Sequence, residues 1–143
     1  MYEDWNNGTE MFCQVCNDCF PMGALADGQI SAVTRAVWKS ERQLLFVATI
    51  EGRAVGLVAL SLGPSACGVW YCGTIAEYRK NGIGSALALA ALEEGKKRGY
   101  GLGVAILKSN AKAWGSFQLL GFKEYCALPF YIFGTPSIPV MEN

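Results

Sequence analysis

The sequence predicts an α+β domain: a mixed, mostly antiparallel central sheet with helices on both faces. Three observations carry that expectation. Two strand-like runs, "QLLFVATI" and "RAVGLVALSL", are separated only by Glu51-Gly52, which is turn chemistry for an antiparallel hairpin. A third run, "GVWYCGTI", rich in β-branched and aromatic residues, leads into a helix-forming segment and then into "GVAILKS", the order of a crossover that brings strands parallel. Helical spacing precedes the hairpin and recurs after "GVAILKS", so helices are available for either side of the sheet.

Taken in order, residues 1 to 8 contain no strand-like run. A first helix is expected from about Thr9 and must end by Pro21, and a second from about Asp27 to Glu41, with Ile30, Val33 and Val37 on one face. Between the second and third strands, "LGPSACG" is a turn. The stretch from Gly82 to Arg98 is helical by propensity, with Glu93 and Glu94 four residues before Lys97 and Arg98 and Gly99 at the stop. "NAKAWGSFQLLGF" predicts a short helix capped by Asn110, with Ala113, Phe117 and Leu120 inward and Gly121 ending it. Uncharged "YCALPFYIF" has strand character, bent or broken at Pro129. No linker, repeat or low-complexity run divides the chain, so residues 1–143 form one domain.

Composition removes several classes of function. Twelve basic and twelve acidic residues cancel, which argues against nucleic acid or an anionic membrane as partner. The absence of histidine excludes Ser-His-Asp and Cys-His nucleophile systems and every His-ligated metal site. The polar, acidic N-terminus lacks the pattern of a signal peptide, and the uncharged stretch from Ala54 to Ala76 is broken by Gly63, Pro64 and Gly68, so two strands and a turn explain it better than a membrane span. A soluble, cytoplasmic protein is expected. "CQVCNDC" sets Cys13, Cys16 and Cys19 three apart, a spacing open to a metal or redox site or to disulfides. The same residues lie on one third of a helix, where Phe12, Cys16 and Phe20 make an apolar stripe, and the helix with no metal is the reading preferred.

The most informative stretch is "YRKNGIGSAL", the turn from the third strand into the long helix. Unpaired amides at a helix N-terminus face outward at the positive end of its dipole, and Gly82 and Gly84 remove side chains that would block approach. Arg79 and Lys80 add positive charge at the rim. A phosphate-bearing ligand fits these features. It is not a dinucleotide by the usual fingerprint, because the third small position is Leu87 and no acid ends the next strand, and the Gly-Lys-Ser/Thr ending of a P-loop is missing.

"AEYRKNGIGSAL" resembles the acyl-CoA-binding motif of the GNAT superfamily of N-acetyltransferases, R-x-x-G-x-G followed by a helix, with Arg79, Gly82 and Gly84 in the defining places. "NAKAWGSFQLLGF" matches that family's downstream pattern through Asn110, Ala113, Phe117, Gly121 and Phe122, so the resemblance runs from about Gln43 to Phe133. It implies acetyl-CoA as acyl donor. Backbone groups around Thr74, Ile75 and Ala76 would pair with the pantetheine arm, and amides of Lys80, Asn81, Gly82, Ile83, Gly84, Ser85 and Ala86 would cradle the pyrophosphate, with the charge of Arg79 at its rim. The strand of Cys72 and Thr74 would splay from that of Ala105 and Leu107 to admit the thioester, and Asn110 and Phe117 would lie beside the lower arm.

In that family an amine attacks the thioester directly, so a base must take a proton and an acid can assist the thiolate. Glu77 and Glu51 are the carboxylates placed for the first role, though both suit solvated surface positions, and the backbone near Thr74 suits an oxyanion donor. The chain departs from the family where many members carry a general-acid tyrosine: Phe117 has no proton to give. Tyr71, Cys72 and Tyr125 are open as substitutes, so the catalytic residues are unassigned. An N-acetyltransferase acting on a small-molecule or peptide amine and a non-catalytic acyl-CoA sensor are the two functions to separate. The family also commonly opens with a strand that is not evident here, which would leave a sheet edge for a second subunit to cover in a homodimer.

Overall fold

The computed structural model describes residues 5–20, 36, 39–107 and 111–129. Its elements are α1 (Trp5–Cys19), β1 (Gln43–Ile50), β2 (Arg53–Leu62), β3 (Cys67–Thr74), a short 3-10 turn (Ala76–Tyr78), α2 (Ile83–Lys97), β4 (Gly103–Ala105) and α3 (Trp114–Leu119). The four strands form one sheet in the order β1-β2-β3-β4. β1–β2 and β2–β3 pair antiparallel, whereas β3–β4 pair parallel through the α2 crossover.

Local chemistry explains most of these boundaries. Glu51 and Gly52 both have positive φ (51° and 81°), the two-residue hairpin conformation whose twist matches the strands it joins. α2 ends in a left-handed glycine: the Gly99 amide donates to the Lys96 carbonyl and the Tyr100 amide to the Gly95 carbonyl. The same arrangement closes α3, with Gly121 donating to Gln118 and Phe122 to Phe117. The anticipated i,i+4 support on α2 is present as an ion pair from Arg98 Nε to Glu94 Oε1 at 2.8 Å.

β2 is the central spine, and its side chains alternate between two apolar layers. Leu57 and Ala59 pack with Phe12, Val15 and Cys16 of α1. Val58 and Leu60 pack on the opposite face with Leu87, Ala88 and Ala91 of α2 and with Phe117 of α3. Leu57, Val58 and Leu60 are fully buried, so a one-residue slip of β2 would exchange the two layers wholesale.

Four expectations need correction. α1 begins at Trp5, four residues before Thr9, and carries the cysteines on a helix as the stripe implied. β4 stops at Ala105, because β3 offers no partner beyond Val69; Ile106 and Leu107 are not strand, and Lys108, Ser109 and Asn110 lie outside the described residues. α3 begins at Trp114 with Ala113 at its cap position. Residues 125–129 are irregular where a strand was expected, consistent with Pro129 having no amide to give a ladder, and the rest of that segment lies outside the described residues. Most of the expected second helix lies outside them as well.

Candidate acyl-donor site

The site is built where β3 parts from β4. Their register runs Cys67↔Gly103, Gly68↔Val104 and Val69↔Ala105 and then ends, while β3 continues to Thr74. From Trp70 onward that edge of β3 has no neighbouring strand among the described residues. A bulge lies in the same stretch: Ala59 pairs with Trp70 and Leu57 with Gly73, so Tyr71 and Cys72 together oppose the single residue Val58. Tyr71 occupies the bulge with φ of 50°, a left-handed conformation that costs a bulky residue. The sequence carries no signal for it.

Beyond β3 the chain turns through Lys80 (φ 64°) and Gly82 (φ 77°) into α2. Gly82 is the N-cap of that helix, and its conformation, not crowding, calls for glycine, since a Cβ there would meet nothing within 4 Å. Gly84 differs. Its backbone is helical, and a Cβ would reach 3.6 Å from Thr74 Oγ1 and 3.9 Å from Cys72 Sγ, into the space between α2 and β3. Ala86 is the first residue of the helix whose amide finds a carbonyl, Gly82 O at 2.9 Å. The amides of Ile83, Gly84 and Ser85 have no carbonyl partner among the described residues.

The sequence-predicted residues therefore divide. Ile83, Gly84 and Ser85 supply free donors, with Lys80 and Asn81 in the exposed turn before them; the Ala86 amide is already taken by the helix. Asn81 uses its side chain internally, Nδ2 to Tyr78 O at 3.3 Å. Arg79 directs Nε to Thr74 O at 3.0 Å, so its guanidinium also braces the turn. Within Thr74–Ala76 much of the backbone is occupied: Ile75 N donates to Val55 O at 3.0 Å, while the carbonyls of Ile75 and Ala76 accept from Tyr78 and Arg79. Phe117 is 4% exposed and packs edge-on to Phe122 at 5.1 Å, which places it in the core beneath α2. Asn110 lies outside the described residues.

The candidate proton carriers also separate. Glu77 forms an ion pair with Arg53 Nη1 at 3.1 Å, both ends well exposed, and Arg53 also stacks over Tyr78 at 5.7 Å. Glu51 occupies the hairpin turn. Cys72 donates Sγ–H to Gly84 O at 3.3 Å, and burial pushes its thiol from 9.0 up to about 11. Tyr125 is 99% exposed. All six cysteines are free thiols, and no group of residues that could hold a metal ion is found among the described residues. No described helix is long and apolar enough to cross a membrane. A hollow of about 310 Å³, between the β1–β2 turn end and α2, is lined by residues such as Ile50, Val55, Ile83 and Ala90, so it adjoins the helix start, and its lining has no ionisable group to orient a reactant.

The residues present fit an acyl-CoA: free amides at a helix N-terminus for the pyrophosphate, an opening at Gly84, and an unpaired strand edge alongside. A mixed sheet of this order, parting beside such a helix, is the acyl-CoA N-acyltransferase fold. The acetyltransferase (GNAT) family model matches residues 9–122, most of the chain, and the chain belongs to that family. Among solved structures it is similar to an aminoglycoside N-acetyltransferase, AAC(6')-Iy, in complex with CoA, at TM-score 0.79 and 17% identity over 90% of each chain. It is also similar to a transcriptional regulator from Bacillus halodurans, at TM-score 0.74 and 20% identity over 92% of this chain and 96% of that one. A glucosamine-6-phosphate N-acetyltransferase from Arabidopsis thaliana aligns at TM-score 0.75 and 10% identity over 94% and 97%. No curated protein matches by sequence.

Proposed function

We propose that this chain is an N-acetyltransferase that moves an acetyl group from acetyl-CoA to a primary amine of a small molecule or peptide. The observation that carries the reading is the set of free amides at Ile83, Gly84 and Ser85, opening at Gly84 toward the unpaired edge of β3. These amides and the charge of Lys80 hold the pyrophosphate, and the absence of a side chain at Gly84 lets it approach the backbone. The exposed edge of β3 from Trp70 to Thr74 runs beside the pantetheine arm. Acetyl-CoA supplies an activated thioester, and the chain supplies position: it holds that carbonyl within reach of an amine and keeps the first turn of α2 fixed through the Cys72–Gly84 hydrogen bond.

The related aminoglycoside enzyme has been captured with a bisubstrate analogue, CoA-S-monomethyl-acetylneamine, which supports a small amine as the class of acceptor. Glu77 is not the base in this reading, because Arg53 already holds its carboxylate on the exposed surface. Deprotonation falls to water in the open cleft. The experiment is calorimetric titration with acetyl-CoA, followed by a CoA-release screen across aminoglycosides, amino sugars, polyamines and peptides. Saturable binding with turnover on at least one amine is the expected result; no saturable binding ends the reading.

A second reading, a non-catalytic acyl-CoA sensor, is favoured by one observation: Phe117 has no hydroxyl and is packed into the core. Tight acetyl-CoA binding with no turnover on any acceptor selects it.

A further inference from the structure

We infer that Tyr71 is the proton donor to the departing thiolate, the role left vacant by Phe117. The inference rests on the acetyltransferase reading above and assigns it a residue that neither motif contains.

Four described tyrosines can be compared. Tyr125 is 99% exposed on an irregular stretch. Tyr100 packs into the core layer at the C-terminal end of α2, the end opposite the free amides. The Tyr78 ring lies under the Arg53 guanidinium and packs against the α1-side layer. Tyr71 alone belongs to the part of β3 that has lost its β4 neighbour, two residues past the last pair, Val69↔Ala105. It is 53% exposed, and among the described residues its ring meets the Phe20 ring edge-on at 6.1 Å.

The bulge explains how the residue comes to be there. Cys72 joins the α2-side layer and bonds Gly84 O, whereas Tyr71 meets Phe20, which packs with α1 on the other side of the sheet. Trp70 also packs in the α1-side layer, so the extra residue sets two consecutive side chains, Trp70 and Tyr71, toward one face before Cys72 returns to the other. The free amides of α2 lie on the Cys72 side. A donor anchored there and passing through the gap between β3 and β4 would present its sulfur end on the Tyr71 side. A bulky residue kept at φ 50° is a strained feature, and strain of this kind accumulates where a side chain must be aimed. Cys72, the other protic group nearby, already donates its hydrogen to Gly84 O.

In the step assigned to Tyr71, the acceptor nitrogen bonds to the acyl carbon and the carbon–sulfur bond breaks with its electron pair on sulfur. Tyr71 Oη gives its proton to that sulfur. The proton lost by nitrogen passes to water, and water returns one to the phenolate, whose ring is half exposed.

The test compares wild type with Tyr71→Phe, which keeps the ring and its contact with Phe20 and removes only the hydroxyl; Tyr125→Phe is the control. Binding of coenzyme A and of desulfo-coenzyme A is measured by calorimetry at pH 7 and pH 9, across the titration of a thiol. A phenol donating to a bound thiolate makes coenzyme A gain on its desulfo analogue as pH rises, by about tenfold for a hydrogen bond to a charged group. That gain is expected in wild type and Tyr125→Phe and is expected to vanish in Tyr71→Phe. With an accepted amine, kcat of Tyr71→Phe is expected to fall about 100-fold at unchanged acetyl-CoA affinity. If Tyr71→Phe keeps both the pH-dependent gain and the rate, the assignment is wrong while the acetyltransferase reading stands. If wild type binds neither ligand, that reading falls and the assignment with it.

Discussion

Arg79 Nε donates a hydrogen bond to the carbonyl of Thr74 over 3.0 Å, closing the turn between the end of β3 and the start of α2. The motif arginine thus acts as a brace as well as a charge. A lysine keeps the charge but loses the fixed planar fork that carries Nε. Arg79→Ala is therefore expected to weaken coenzyme A binding about tenfold, or ~1.4 kcal/mol, and Arg79→Lys to recover only part of that loss. Calorimetric titration at two salt concentrations checks it. Full rescue by lysine would mean that only the charge matters.

Gly82 and Gly84 have different work, and their alanine variants should fail in different ways. Gly82→Ala forces a Cβ into φ 77° and is expected to cost about 1–2 kcal/mol of stability. Gly84→Ala meets only ordinary contacts in a helical conformation, so helix propensity favours it by up to about 1 kcal/mol. Its methyl nevertheless stands in the opening beside Thr74 and Cys72. The expected outcome is a melting temperature equal to or above wild type together with at least tenfold weaker coenzyme A binding, by thermal unfolding and calorimetry on the same sample.

Much of this architecture is legible in the sequence where a local rule decides it. Glu51-Gly52 could hardly be anything but a hairpin turn, and Gly99 and Gly121 mark helix ends that the hydrogen bonds bear out. What depends on a distant partner is not legible. β4 looks like a seven-residue strand until β3 leaves it at Ala105. The bulge at Tyr71 follows from how β3 pairs with β2, and no residue in "GVWYCGTI" announces it. For the site, the glycines and the helix start were readable, but which amides stay free was not: Ala86 and Ile75 have the right positions and already have partners.

Phe117 is 4% exposed and edge-on to Phe122. Phe117→Ala opens a cavity in the α2-side layer and is expected to cost about 3–5 kcal/mol. Phe117→Tyr places a hydroxyl where the described surroundings are apolar, a penalty of about 1–3 kcal/mol if it stays unpaired. The added hydroxyl is thus expected to lower stability without raising kcat. Denaturant unfolding and initial rates on one preparation check both parts, and a faster, equally stable Phe117→Tyr enzyme would place this ring at the sulfur instead of Tyr71.

Gly95 offers a case in which two effects oppose and their sizes decide. Alanine in a helix interior gains about 1 kcal/mol over glycine. At this position the added Cβ would lie 2.8 Å from Cys67 Sγ and 3.5 Å from its Cβ, and Cys67 is fully buried. Overpacking of that kind costs about 1–3 kcal/mol, so the net expectation is destabilisation. The double variant Gly95→Ala/Cys67→Ala removes the obstructing sulfur and is expected to recover most of the loss, measured as a coupling in a double-mutant cycle by urea unfolding.

Buried thiols make the fold sensitive to alkali. Burial first, with neighbouring cysteines second, raises Cys16 from 9.0 to about 11, and burial with Cys19 nearby does the same for Cys72. A group with a raised folded pKa holds its proton after the unfolded chain has released it, so its contribution is complete below pH 9 and is lost as pH climbs through 11. Stability is expected to be flat in this respect from pH 7 to 8.5 and to decline between pH 9 and 11. Lysines and tyrosines titrate over the same range, so the readout is a difference: wild type minus Cys16→Ala/Cys72→Ala, by thermal unfolding at half-unit steps of pH. The double variant lowers the plateau by opening small cavities but should show the shallower alkaline slope, because it has no thiol at either position to ionise. Equal slopes in the two proteins would mean that neither thiol is held protonated by the fold.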